Sequence, residues 1–289
     1  MNTPIIISYN FNSGIEKVWN ALSKEDELKQ WYFPVDNYEF EVGKTFTFYE
    51  SCDSKQYFHS CQFLNIIPNK LIEYSWAHPN QSKGTSVVKW EIEPNGEQIK
   101  VTLTHTGIET FADAGSAFSK DNFEMGWNAI IGNLLRNYLY GIKKLQFSVE
   151  LNADASKVWQ NLWDKETYKQ WTKPFMEGSY YEGEMLLNKR IHFLIPSGDG
   201  MYSDVAFYKE NELMIFKHIG LVKNNQEMPI DATTEKWTGS FESYKLAATD
   251  NKTTLKVEVD ANEMMYDYLS KTFPVALVTL KEIIEGLTI

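Results

Sequence analysis

The sequence predicts an α+β protein built as two tandem domains, each a curved antiparallel sheet wrapped on a long C-terminal helix, and three observations predict it. The first is length: 289 residues is about twice the usual domain size. The second is an internal repeat. The displacement that takes Ser8 to Ser148 also takes Asn12, Lys17, Val18, Trp19, Leu22, Lys29, Gln30, Trp31, Pro34 and Gly43 onto Asn152, Lys157, Val158, Trp159, Leu162, Lys169, Gln170, Trp171, Pro174 and Gly183 without a gap. A Val-Trp pair followed by a Gln-Trp pair in both halves is hard to obtain by chance, because tryptophan is rare. The third is the order of periodicities, which is the same in each half and divides the chain into 1–143 and 144–289.

Each half opens with a strand. Ile5, Ile7, Tyr9 and Phe11 alternate with mostly polar neighbours, and Leu145, Phe147, Val149 and Leu151 do so at the same offset. A helix follows: Ile15, Val18, Trp19 and Leu22 form an apolar stripe after a Ser13-x-x-Glu16 capping box, and Ala155, Val158, Trp159 and Leu162 repeat the stripe. A second short helix is expected from Ser23, with Asp26 as its cap, and from Asp164 in the second half; both stop before Pro34 and Pro174.

Alternating runs punctuated by turns then indicate an antiparallel sheet. They are Thr45–Ser51, Tyr57–Ile67, Leu71–Trp76, Val87–Glu93 and Ile99–His105, with Pro94-Asn95-Gly96 as a hairpin turn. Their counterparts are Arg190–Ile195, Met201–Tyr208, Leu213–His218, Trp237–Ala247 and Leu255–Asp260, with a turn at Ser197-Gly198-Asp199-Gly200 and a polar insertion over about 221–236. Each half closes with a long helix. Phe123, Trp127, Ile130, Ile131, Leu134, Leu135 and Tyr138 make one stripe, ending at Gly141; Tyr268, Leu269, Leu277, Leu280, Ile283 and Ile284 make the other, ending at Gly286.

Composition excludes several classes. A net charge of −11 repels phosphate backbones and anionic lipid, so neither nucleic acid nor membrane is an expected partner. Met1 to Ile7 lacks the pattern of a signal peptide, and no apolar run approaches a spanning helix, which reads as a cytoplasmic protein. Cys52 and Cys61 match neither a disulfide framework nor a metal knuckle and read as reduced thiols in a sheet.

The order strand, two short helices, curved sheet, long helix resembles the helix-grip fold of the SRPBCC superfamily, which includes START, Bet v 1-like and polyketide-cyclase-like proteins. The first half resembles the family named after the activator of the heat-shock-protein-90 ATPase, in its single-domain bacterial form. The residues that carry this are Val18-Trp19-x-Ala21-Leu22, Trp31, Gly43, Leu71-Ile72-x-Tyr74-x-Trp76, Thr102-Leu103-Thr104-His105-Thr106-Gly107 and Gly126-Trp127. The second half keeps Val158-Trp159 and Trp171 but has no Gly-Trp in its last helix; another member of the superfamily, fused behind the first, describes it equally well. Co-chaperone activity belongs, in the resemblance, to proteins with an additional chaperone-binding domain, so chaperone contact is an unsupported expectation here.

The resemblance implies an apolar cavity between each long helix and its sheet, and hence binding of a small hydrophobic or amphipathic molecule. Rings expected to face inward are Trp31, Phe33, Phe48, Phe58, Trp76 and Trp90, joined by Phe123, Trp127 and Ile131 from the closing stripe. In the second half they are Trp171, Phe175, Phe193, Phe216, Trp237 and Phe273, with Leu277. Such rings wall cavities or simply fill cores. His105, at a strand end, is the candidate for acid/base work in a cyclase or dehydratase type of enzyme or for a structural role, and His218 is the runner-up. His59, His78 and His192 show no partner pattern. Glu39, Glu41, Glu182 and Glu184 read as a solvated edge or a charge near a pocket entrance. No metal-ligand spacing, nucleophile elbow or phosphate loop occurs, so neither a metal nor a cofactor is expected and nothing requires catalysis.

Overall fold

The structure is a computed structural model that describes residues 3–52, 55–250 and 252–287. It divides into two compact units, Met1–Tyr140 and Gly141–Ile289.

In the first unit β1 (Ile5–Phe11) buries Ile5, Ile7 and Phe11 and exposes Ile6, as its alternation requires. Helices α1 (Ile15–Ser23) and α2 (Glu25–Leu28) follow. The expected capping box does not form: α1 starts one residue late, on the extended backbone of Gly14, with no side-chain cap. Ser23 does not open α2 either. It ends α1, its hydroxyl donating to the Trp19 carbonyl at 2.7 Å, and Lys24 stands at the α2 N-cap. Asp26 sits inside the first turn of α2, where a negative charge suits the helix dipole.

Strands β2 (Val35–Asp36), β3 (Thr45–Cys52), β4 (Lys55–Ile67), β5 (Leu71–Ala77), β6 (Thr85–Asn95) and β7 (Gln98–Thr106) complete the sheet, ordered β1-β7-β6-β5-β4-β3-β2 with every pairing antiparallel. Pro94 and Asn95 belong to β6, and the turn is the next two residues, with Gly96 at φ 64°. The closing helix is not uniform: α3 (Lys120–Ala129) passes through a π-helical turn (Ile130–Leu135) into α4 (Arg136–Leu139). Cys61 is a buried free thiol, whereas the side chain of Cys52 lies outside the described residues.

The second unit has β8 (Lys143–Leu151), α5 (Ala155–Trp163) and α6 (Lys165–Trp171). Here the expected cap holds, Asp164 accepting from the backbone N–H groups of Glu166 and Thr167 at 3.0 and 3.1 Å. Strands β9 (Tyr180–Gly183), β10 (Arg190–Leu194), β11 (Gly200–Lys209), β12 (Leu213–Lys223), β13 (Gln226–Glu227), β14 (Phe241–Thr249) and β15 (Lys252–Ala261) form a sheet ordered β8-β15-β14-β12-β11-β10-β9, with β13 on β12. The insertion thus extends β12 into a small hairpin. β14 begins at Phe241, not Trp237, because a 3₁₀ turn at Thr234–Lys236 occupies the preceding segment. Helix α7 (Glu263–Glu285) closes the unit and ends at Gly286, in the left-handed region at φ 68°.

The Gln-Trp of each half has one structural meaning. The Trp31 indole donates to the Ala21 carbonyl at 2.9 Å, and the Trp171 indole to the Leu162 carbonyl at 3.2 Å, so each ring ties the second short helix to the first. No helix among the described residues is long and apolar enough to cross a membrane.

Candidate functional site

In the first unit a cavity of about 460 Å³ lies between α3 and the concave face of the sheet. Alternation on β5 turns Tyr74 and Trp76 inward, with His78 just past the strand end; alternation on β4 does the same for Tyr57, His59, Cys61 and Phe63. From the predicted set, Phe33, Trp76, Phe123 and Trp127 line the cavity, together with Tyr57 and Phe118. Trp31 and Trp90 line a separate void of about 30 Å³, the space of about one water, and are core. Phe48 is fully buried, stacked between Phe33 at 5.4 Å and His59 at 4.2 Å, and Ile131 is core as well. Phe58 was expected inward and is not. It is out of phase with the buried His59 and Cys61, and packs on the half-exposed Tyr49 at 5.0 Å.

The polar end of this cavity holds Glu50, His59 and His78, which sequence reasoning left without a role. The Trp76 indole donates to His78 Nε2 at 2.8 Å, so the proton sits on Nδ1, which has no hydrogen-bond partner of ordinary geometry. His59 donates from Nδ1 to the Tyr57 carbonyl at 3.0 Å, and its Nε2 lies 3.8 Å from Glu50 Oε2. Burial pushes His59 down to about 3, with the His78 imidazole adding to the effect. It also pushes His78 down to about 4 against a weak opposing pull from the Phe58 carbonyl, and raises the Glu50 carboxyl. Both imidazoles are neutral at neutral pH, one offering a donor and the other an acceptor.

His105 is behind this wall, fully buried. Nδ1 accepts from the Trp127 indole at 3.0 Å, and Nε2–H faces Ser86 Oγ at 2.7 Å, whose own hydroxyl reaches the Trp76 carbonyl at 3.3 Å. Burial and then His78 lower it to about 3. With both nitrogens engaged, His105 fastens helix to sheet and has no lone pair free for a substrate. The edge carboxylates are on the surface, Glu39 paired with Lys44 and Glu184 with Lys189.

In the second unit a cavity of about 350 Å³ occupies the same place under α7. Trp171, Phe175, Phe193, Phe216 and Phe273 line it as predicted, with Trp163, Tyr168 and Tyr244 in addition. Leu277 is buried core. Trp237 is displaced from the site: it ends the 3₁₀ turn, and β14 presents Glu242, Tyr244 and Leu246 inward instead. Glu242 faces the cavity; the Tyr244 hydroxyl donates to one of its oxygens, and His218 Nε2 lies 3.3 Å from the other. His218 Nδ1 is 2.8 Å from Ser203 Oγ. Burial, with Glu242 alongside, raises Tyr244 well above the usual phenol range, so it remains a donor. Among the described residues no group of three or more His, Cys, Asp and Glu side chains is placed to hold a metal ion.

Comparison with known proteins bears on the first unit. Residues 12–139 match the family described as "Activator of Hsp90 ATPase homolog 1-like protein". The first unit is similar to domains of that type. The family match lies wholly within the first unit and covers under half of the chain. Solved structures that match include DynU16, from the dynemicin biosynthetic locus (15% identity, 98% of this chain and 100% of that one, TM-score 0.41). The Aha1 dimer from Colwellia psychrerythraea matches at 21% identity over 50% of this chain and 96% of that one, TM-score 0.39. CalU16 from Micromonospora echinospora matches at 16% over 47% and 75%, TM-score 0.36. No curated protein matches the chain.

Proposed function

We propose that the chain is a tandem duplication of helix-grip domains, and that the first unit binds a small amphipathic molecule between α3 and the sheet. The observation that carries the reading is the pairing of an aromatic cavity of about 460 Å³ with one polar end made of His59, His78 and Glu50. That volume is in the range of small-molecule sites. An apolar body excludes water from the rings, while a single hydroxyl or carbonyl meets the His78 Nδ1–H. A buried donor without a partner costs about 1–3 kcal/mol, which a bound acceptor recovers.

Catalysis by His105 is disfavoured by the same geometry, since Trp127 and Ser86 occupy its nitrogens. The test is native mass spectrometry of the full chain purified without denaturant, beside Gly126→Leu. Gly126 lines the cavity, and a Cβ there meets nothing within 4 Å, so a side chain can leave the backbone at this position without displacing a neighbour. A retained mass lost in the variant supports the reading. A wild-type chain that carries nothing and takes up no neutral aromatic probe overturns it.

A further inference from the structure

Strand register identifies one of the positions at which the two cavities differ. Across the first sheet, Ile5 stands opposite His105, His105 opposite Val88, and Val88 opposite Tyr74. Across the second, Leu145 stands opposite Val259, Val259 opposite Glu242, and Glu242 opposite Phe216. Leu145 is the residue that the repeat aligns with Ile5. The two rows therefore correspond member by member. His105 of the first becomes Val259, and the fully buried Val88 becomes Glu242.

A carboxylate has thus replaced an apolar side chain on the concave face, in a cavity walled by rings, methionines and aliphatic side chains. It is held there from two sides. The neutral Tyr244 hydroxyl donates to it, and His218, itself anchored on Ser203, lies behind it. No lysine or arginine lines the cavity to compensate the charge. Trp163, which also lines the cavity, has its indole N–H buried without a partner. Aromatic faces surrounding a carboxylate are the chemistry that selects an organic cation, through an ion pair and cation–π contacts.

We propose that the second unit's cavity binds a hydrophobic amine, its ammonium on Glu242 and its apolar body among Trp163, Trp171, Phe193, Phe216 and Tyr244. This rests on the reading of these cavities as ligand sites and adds the ligand's charge.

The experiment is titration calorimetry of the full chain with 2-naphthylmethylamine and 2-naphthalenemethanol, which have the same ring and differ in charge, on the wild type and on Glu242→Gln. The expected result is a wild-type site that prefers the amine by about tenfold or more, the order of one charge-assisted contact. Glu242→Gln loses that preference and still binds the alcohol at two sites, which shows that the second cavity is intact. Equal wild-type binding of amine and alcohol, or a preference that survives the substitution, overturns the amine assignment and leaves the cavity reading standing. Binding of neither compound overturns both.

Discussion

The Trp127 indole donates to His105 Nδ1 at 3.0 Å, joining the long helix of the first unit to β7 of its sheet. The corresponding row in the second unit holds Val259, and its closing helix presents Phe273, stacked on Phe147 at 4.9 Å. The pair is kept or lost as a pair. His105→Val and Trp127→Phe each leave a buried polar group or a packing defect, costing about 1–3 kcal/mol. The double variant is expected to be less destabilised than the sum of the two by about 1 kcal/mol or more, read from urea unfolding of the full chain. Strict additivity would show that the hydrogen bond contributes nothing.

Acid should open the first unit. His59, His78 and His105 are held neutral when folded, at about 3, 4 and 3, against an ordinary value of 6.5. Below 6.5 the unfolded chain takes up protons that the folded one refuses, so the stability they contribute is complete above that pH. It is lost as pH falls toward 4, at roughly 1.4 kcal/mol per pH unit for each histidine. Hydrogen exchange read by mass spectrometry should show residues 55–67 and 98–106 losing protection between about pH 6 and pH 4. Undiminished protection at pH 4 would contradict the placement of these imidazoles.

The short helices give a paired test of capping. Asp164→Ala removes an acceptor of two backbone N–H groups and should cost about 1 kcal/mol. Ser13→Ala should be neutral within a few tenths, because α1 has no side-chain cap. A comparable loss of melting temperature in both would mean that Ser13 caps the helix after all.

Tandem organisation, the order of elements along the chain and most cavity rings were legible in the sequence, because periodicity and the repeated tryptophans report packing directly. Side-chain facing was legible only where the start of a strand was. Opening β14 at Trp237 makes odd positions inward; its true start at Phe241 puts Glu242 and Tyr244 there, so one residue of phase hides the only carboxylate facing that cavity among the described residues. Phe58 fails for the same reason on β4, where the polar Ser60 and Gln62 on its own face were the available signal. His59 and His78 carry no motif. They meet only because β4 and β5 pair, bringing the rings to 4.4 Å.

The most direct test of two separate small-molecule cavities is the stoichiometry of 2-naphthalenemethanol binding to the full chain, followed by calorimetry. The wild type should take up the alcohol saturably at two sites, and Gly126→Leu at one, with its thermal stability unchanged or raised, since a glycine in a helix is itself costly by about 0.5–1 kcal/mol. Absence of saturable binding, or full stoichiometry in Gly126→Leu, would contradict the account.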